Sequence, residues 1–270
     1  MPSPAKEYVP VSAVIPCYRC GQTIRRALES VAAQTALPRE VILVDDCSAD
    51  ETAESLRRLA AEHPVDWVKV LSLPANGGPG HARNAGWDAA TQPYIAFLDA
   101  DDSWHQRKIE IQYGWMRVNP DAMLTGHPSK RMEDGEIPSP LPGSVQAGRV
   151  DHRRLLLSNC FSSRSIMFRR DLAVRFHPTK RYMEDYWWLL QIVFSGQEIV
   201  RLNLPLAFTF KADYGDSGLS ARLWEMEKAE LDNYWDLRRG GKLGPASVLL
   251  LSFWSLLKYA RRWIVSVLTR

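Results

Sequence analysis

Over the first hundred residues, short apolar runs alternate with apolar positions at helical spacing. "VSAVI" (11–15), "EVILVD" (40–45), "DWVKVL" (66–71) and "YIAFL" (94–98) are brief and rich in β-branched or aromatic residues, which predicts buried strands. Between them, Ile24, Ala27, Leu28 and Val31 share one helical face. Asp50 can cap a second helix carrying Ala53, Leu56 and Leu59, and residues 80–91 read as a third. This rhythm predicts an α/β fold with a mostly parallel sheet and helices on both faces. Ligands of such sheets bind beyond the carboxyl ends of the strands. There the chain places Pro16 and Tyr18, Asp45 and Asp46, Asn76 to Gly80, and Asp99 to Asp102. Four strand tips thus point to one crevice.

The second half is less periodic. Residues 126–150 are polar and rich in Pro and Gly and read as a long loop. "SIMFRR" (165–170) reads as a strand, 184–195 as a helix and "LPLAFTF" (204–210) as an edge strand. Helices about 218–238 and 246–268 follow, separated by "RRGGKLGP". The last, "PASVLLLSFWSLLKYARRWIVSVLTR", combines Leu, Phe and Trp with Lys258, Arg261, Arg262 and Arg270. A helix of that kind can lie in a membrane interface and favour anionic lipid; the plain alternative is packing on the domain or on a second subunit.

Composition narrows the class. The chain has 270 residues, 46% apolar and 24% charged, as expected for a globular protein of one large domain or two small ones. A net charge of +3 is too small to suggest nucleic acid as a partner. Four irregularly spaced cysteines form no secreted disulfide framework, and Cys17 and Cys20, although C-x-x-C, lack the further ligands or context of a zinc or redox site. With no apolar signal core in "MPSPAKEYVP" and no apolar stretch of about 18 residues, the expected location is the cytoplasm. The final helix would allow peripheral attachment to the cytoplasmic face of a membrane.

The chemistry gathers in "YIAFLDADDSW" (94–104). Three carboxylates at the tip of a buried strand need a cation, donors or water. Asp99 and Asp101 flank the small Ala100, a spacing that lets both reach one hard cation, Mg²⁺ or Mn²⁺, together with substrate phosphates. The plain alternative is a solvated strand end or a helix cap. Gly77, Gly78 and Gly80 around Pro79 open a helix at its positive end, a place for phosphate or simply a tight turn. Arg83 follows as a basic group beside that turn or as a surface ion-pairing residue. Glu184 and Asp185 sit in a first helical turn, where their charge also suits the dipole. Trp187 and Trp188 are adjacent, so one is expected in the core, leaving the other open to stack on a ligand.

Taken together, "VSAVIPCYRCGQTIRRALESVAAQT", "EVILVDDCSADET", "NGGPGHARNAGWDAATQPYIAFLDADDSW" and "YMEDYWWLLQ" resemble a family 2 glycosyltransferase of the inverting, non-processive bacterial type. The likeness covers roughly residues 9–220. It implies a GT-A fold with a nucleotide-binding half (about 9–104), an acceptor half (about 105–220) and a C-terminal helical extension (221–270). By the same resemblance, Pro16 and Tyr18 lie near the nucleobase, Asp46 and Asp45 at the acidic position for a uracil-type ring, and Gly78 and Arg83 by the nucleotide. Asp99 and Ala100 would contact the nucleotide sugar, Asp101 with Asp99 a Mn²⁺ or Mg²⁺ ion, and Asp185, with Glu184 beside it, would be the general base. The implied reaction moves a sugar from a nucleotide-diphospho-sugar, UDP-linked by preference. Its acceptor would be a hydroxyl of a growing glycan or lipid-linked sugar in envelope polysaccharide synthesis. Arg19 stands where the family usually has Asn, and "YARRW" (259–263) has Tyr259 where the processive enzymes have Gln, which favours addition of a single sugar. Two alternatives are a sugar-phosphate nucleotidyltransferase, disfavoured by the lack of an early glycine-rich basic loop, and a catalytically silent nucleotide-sugar-binding partner.

Overall fold

The computed structural model describes residues 7–136, 138, 140–141, 143–211 and 221–268. The first half runs β1 (Glu7–Cys17), α1 (Ile24–Ala32), β2 (Ala36–Asp45), α2 (Thr52–Ala61), β3 (Val68–Ser72), α3 (Pro79–Ala89) and β4 (Tyr94–Phe97). Then come β5 (Ser103–Trp104), α4 (Lys108–Val118), β6 (Ala122–Gly126), β7 (Ser129–Arg131), β8 (Ala147–Arg149), α5 (His152–Leu157) and a 3-10 turn at Ser163–Ser165. The chain closes with β9 (Met167–Arg169), α6 (Glu184–Phe194), β10 (Glu198–Leu202), β11 (Ala207–Thr209), α7 (Leu223–Arg239) and α8 (Pro245–Leu268).

Eight strands form the main sheet in the order β3-β2-β1-β4-β9-β6-β10-β8. The β3-β2-β1-β4 portion is parallel throughout, as the strand–helix alternation requires. β9 then inserts antiparallel between β4 and β6, and β8 closes the far edge antiparallel to β10. Alternate residues feed the two faces: Val14, Ile42, Val44 and Phe97 enter one apolar cluster, and Ala13, Ile15, Leu43 and Leu98 the other. α3 lies flat on the sheet because Gly86 leaves no Cβ there; one would stand 2.3 Å from Val14 Cγ1.

Three expectations are corrected. The stretch 126–150 holds two short strands, β7 and β8, which polar residues disguise because each borders solvent. The edge strand expected in "LPLAFTF" is the centre of a second, three-stranded sheet, β5-β11-β7. The penultimate helix begins at Leu223; residues 218–220 of the expected span lie outside the described residues.

α8 packs on α7 through a narrow stripe, with Val248 and Ser255 fully buried. Lys258 reaches Glu230 at 2.6 Å and Arg262 reaches Glu227 at 3.0 Å, so these two cations bind α7 rather than face outward. The other side of α8 exposes Leu249, Leu250, Phe253, Leu256, Leu257 and Trp263. Among the described residues, no helix is long and apolar enough to cross a membrane.

Candidate active site

The strand tips meet as the alternating pattern requires, and the cations that hold their carboxylates come from far along the chain. Arg83, on α3, is 4% exposed and forks between two of them. One terminal nitrogen donates to Asp99 at 2.7 Å, the other to Glu184 at 2.8 Å. Its guanidinium faces the rings of Phe97 and Phe176, centroids 5.9 and 5.7 Å away. Phe176 in turn stacks on the buried Trp188 at 4.4 Å. The tip of β4 and the first turn of α6 are therefore joined through one side chain on a rigid aromatic floor.

Arg164, in the 3-10 turn, takes Asp102 at 2.8 Å and lies 3.8 Å from Asp99. Burial, with Asp99 and Asp101 close by, pushes the Asp102 carboxyl up to about 8 despite Arg164. Lys211 takes Asp101 at 2.5 Å, and Arg26 of α1 donates to the Asp101 carbonyl at 2.7 Å while covering Phe210. Arg26, Arg164 and Lys211 carry no sequence signal, since lone arginines and lysines are common on surfaces. Only the packing of the 3-10 turn beside β4 and of α1 against β5, with Lys211 just past β11, brings them in.

Asp185 and Glu184 occupy different surroundings although adjacent. Glu184 is buried and committed to Arg83. Burial, then the neighbouring Asp185 charge, pushes its carboxyl up to about 7, opposed by Arg83. Asp185 accepts from the Tyr186 amide at 2.7 Å, and Ser163 Oγ is 3.5 Å from its other oxygen. Burial raises its affinity for a proton as well. Unlike Glu184, it forms no ion pair among the described residues. A carboxylate with a raised pKa and no cation clamped on it has the character of a general base.

The remaining expected residues divide. Tyr18 is 45% exposed beside the half-buried Pro16, leaving its ring open at the mouth of the crevice. Asp46 is buried and accepts from the Gly77 and Gly78 amides at 2.9 and 2.7 Å, so in this structure it holds the glycine turn. Gly78 has φ +87°, a conformation few other residues adopt, and it leads directly into Pro79 at the start of α3. Asp45 accepts from the Ser48 amide at 3.1 Å, and Ala100 is buried between its two aspartates. Trp188 is the core tryptophan; Trp187 packs edge-on against His177 at 5.0 Å.

Among the described residues no cluster of three or more acidic, His or Cys side chains is placed to hold a metal ion. Asp99 and Asp101 nonetheless fit a hard cation as a partial set: both are carboxylates and both are partly open, at 23% and 29% side-chain exposure. The other ligands would have to be substrate phosphate or water.

The family model described as "Glycosyl transferase family 2" matches residues 12–176, more than half of the chain and including every strand tip of the crevice. The chain belongs to glycosyl transferase family 2. The chain is 46% identical over 213 residues to the succinoglycan biosynthesis protein ExoO of Rhizobium meliloti, covering 73% of its own length but only 59% of ExoO. To the Escherichia coli UDP-Glc:alpha-D-GlcNAc-diphosphoundecaprenol beta-1,3-glucosyltransferase WfgD it is 28% identical, over 84% of each chain. In three dimensions it matches the mannosyltransferase PcManGT from Pyrobaculum calidifontis, solved with GDP-Man and Mn²⁺. That match has a TM-score of 0.65 at 19% identity and covers 96% of this chain and 75% of that one. The likeness establishes the fold as the GT-A type, an α/β sheet with a C-terminal helical part.

Proposed function

We propose that the protein transfers a single sugar, with inversion, from a UDP-linked donor to a hydroxyl of a growing glycan or lipid-linked sugar during envelope polysaccharide synthesis. The carrying observation is the Arg83 fork, which sets Asp99 at the strand tip and the Glu184–Asp185 turn on one site. WfgD is named for a UDP-glucose donor and a diphosphoundecaprenol-linked acceptor, and ExoO for succinoglycan synthesis, which supports the donor and acceptor classes chosen.

In this reading, Pro16 and Tyr18 border the base, and Asp46 and Asp45 shape the acidic pocket beneath it, with Gly78 and Ala100 allowing close approach. Asp99 and Asp101 would hold Mn²⁺ or Mg²⁺, which supplies positive charge at the departing diphosphate. Lys211, now on Asp101, would then be freed to meet phosphate. Arg83 and Arg164 keep the crevice from carrying an uncompensated acidic charge. Asp185 takes the proton of the incoming hydroxyl, since Glu184 is tied to Arg83. The exposed apolar side of α8 rests on the cytoplasmic face of a membrane, where acceptors of this class reside.

The test is UDP release from a panel of UDP-sugars with Mn²⁺, with and without lipid-linked acceptors. Asp185→Asn should keep donor binding and lose roughly 10²–10⁴-fold in turnover. Asp101→Ala should abolish the Mn²⁺ dependence of UDP binding. A wild-type protein that binds UDP but never releases it from a donor sugar would mark a silent binding partner instead.

A further inference from the structure

The loop from residue 158 to 165 has two sides. One touches the carboxylates: Ser163 approaches Asp185 and Arg164 holds Asp102. The other walls a cavity of about 550 Å³ whose lining includes His127, Arg154 and Arg201 and no carboxylate. Arg201 is fixed by a 3.1 Å bond from its Nε to the Cys160 carbonyl. Among the described residues neither Arg154 nor Arg201 forms an ion pair. Two guanidiniums left without a counter-charge beside one cavity call for an oxyanion, and phosphate suits their forked donors.

His127 adds a second kind of contact. It is 1% exposed, and its Nδ1 lies 2.9 Å from the Pro128 carbonyl, which keeps the hydrogen on that nitrogen. Burial, with Lys108 and Arg201 nearby, pushes its pKa down to about 3, so the ring is neutral. Its Nε2 is then an acceptor without a partner among the described residues, suited to a hydroxyl.

Beyond Ser158 the rim turns apolar. Leu157 is 53% exposed, and Trp254 of α8 donates its indole N–H to the Leu157 carbonyl at 3.1 Å. Leu250, Trp254 and Leu257 recur at helical spacing from that point along the exposed side of α8. Basic cavity and apolar ramp are thus continuous, and the base lies across one loop.

Resting on the transferase reading above, we propose that this cavity is the acceptor subsite. Arg154 and Arg201 grip the phosphate or diphosphate of a lipid-linked acceptor, whose hydrocarbon chain runs over Leu157 and α8 while its sugar reaches Asp185. The cavity therefore selects charged, lipid-borne acceptors over free neutral sugars.

The probe is dodecyl diphosphate, titrated calorimetrically into the full chain with UDP saturating, alongside inorganic pyrophosphate and dodecyl maltoside. Dodecyl diphosphate should bind the wild type more tightly than either comparison compound. In Arg154→Gln/Arg201→Gln its affinity should fall by roughly 100-fold, about tenfold per charge-assisted contact removed. UDP affinity should stay the same, which also verifies folding. Leu250→Ser/Leu257→Ser, at two exposed positions, should weaken dodecyl diphosphate and leave pyrophosphate unchanged. Equal binding by the double-arginine variant overturns the subsite, and pyrophosphate binding as tightly as dodecyl diphosphate overturns its lipid character. Either result leaves the transferase reading intact, because that reading stands or falls on UDP release.

Discussion

Arg83 offers the sharpest test of how the site is held together. Arg83→Met keeps most of the apolar stem and removes the charge. The guanidinium is 2.7 Å from Asp99 and 2.8 Å from Glu184, and the Arg83 and Glu184 side chains are 5% and 8% exposed. At an effective dielectric of about 20, each such pair is worth about 4 kcal/mol before the cost of leaving water. Removing one member of a buried pair leaves the other charge uncompensated and costs roughly 3–5 kcal/mol. The expected loss therefore lies in that range at pH 8, measured by urea unfolding followed by tryptophan fluorescence. The sign with pH is fixed too. Burial already raises the Glu184 carboxyl to about 7 with Arg83 present, and losing Arg83 raises it further. A carboxyl whose pKa is higher folded than unfolded binds protons preferentially in the folded state. The deficit must then shrink as the pH falls from 8 toward 5. A loss under about 1 kcal/mol at pH 8, or one that is the same at pH 5, would refute the view that Arg83 pins β4 to α6 electrostatically.

Gly86→Ala should destabilise the protein by about 1–3 kcal/mol through overpacking against Val14, less the ~1 kcal/mol that Ala gains over Gly in a helix. A thermal midpoint at or above that of the wild type would mean α3 does not sit so close to the sheet. Glu40 is buried and accepts from Ser12, Lys69 and Thr91; burial pushes its carboxyl up, but these donors prevail and hold it at about 2. Because its folded pKa is depressed, its stabilisation is present above the ordinary carboxylate range and is lost as the pH falls through about 2. Glu40→Gln should therefore flatten the acid limb of the stability curve, and an unchanged limb would assign that limb to other groups. Removing residues 246–270 should expose the buried Tyr234 and Leu237 of α7 and strip Glu227 and Glu230 of their cations, lowering stability sharply. Truncated protein that unfolds at the same urea concentration as the full chain would show that α8 is an appendage. Full-length protein should sediment with vesicles even at high salt, since the cations that salt would screen are largely engaged with α7.

The parallel half of the sheet was legible because it is local: each strand is a short β-branched run, each crossover an amphipathic helix, and the connection between them leaves little choice of order. The convergence of Pro16, Asp45, Asp46, Gly78 and Asp99 follows from that topology alone, since all sit at carboxyl ends of parallel strands or just beyond. β7 and β8 were hidden in a polar stretch because strands of three residues at solvent-facing edges leave no alternation to read. The sequence left two settings open for the helix that carries Lys258 and Arg262, a membrane interface or packing on protein, and packing against α7 turned both cations inward to Glu230 and Glu227. The partners of the acidic strand tip were the least visible of all. Arg83 could be read as either a site residue or a surface one, and Arg164 and Lys211 lie 65 and 110 residues beyond Asp99 and Asp101, respectively, in ordinary surroundings. A charge's partner is chosen by the three-dimensional closure of loops, whose cost depends weakly on their length, so nothing in local sequence marks it. The sequence determined where the acidic groups gather; only the folded chain decided which cations pair with them and, among the described residues, left Asp185 outside any ion pair.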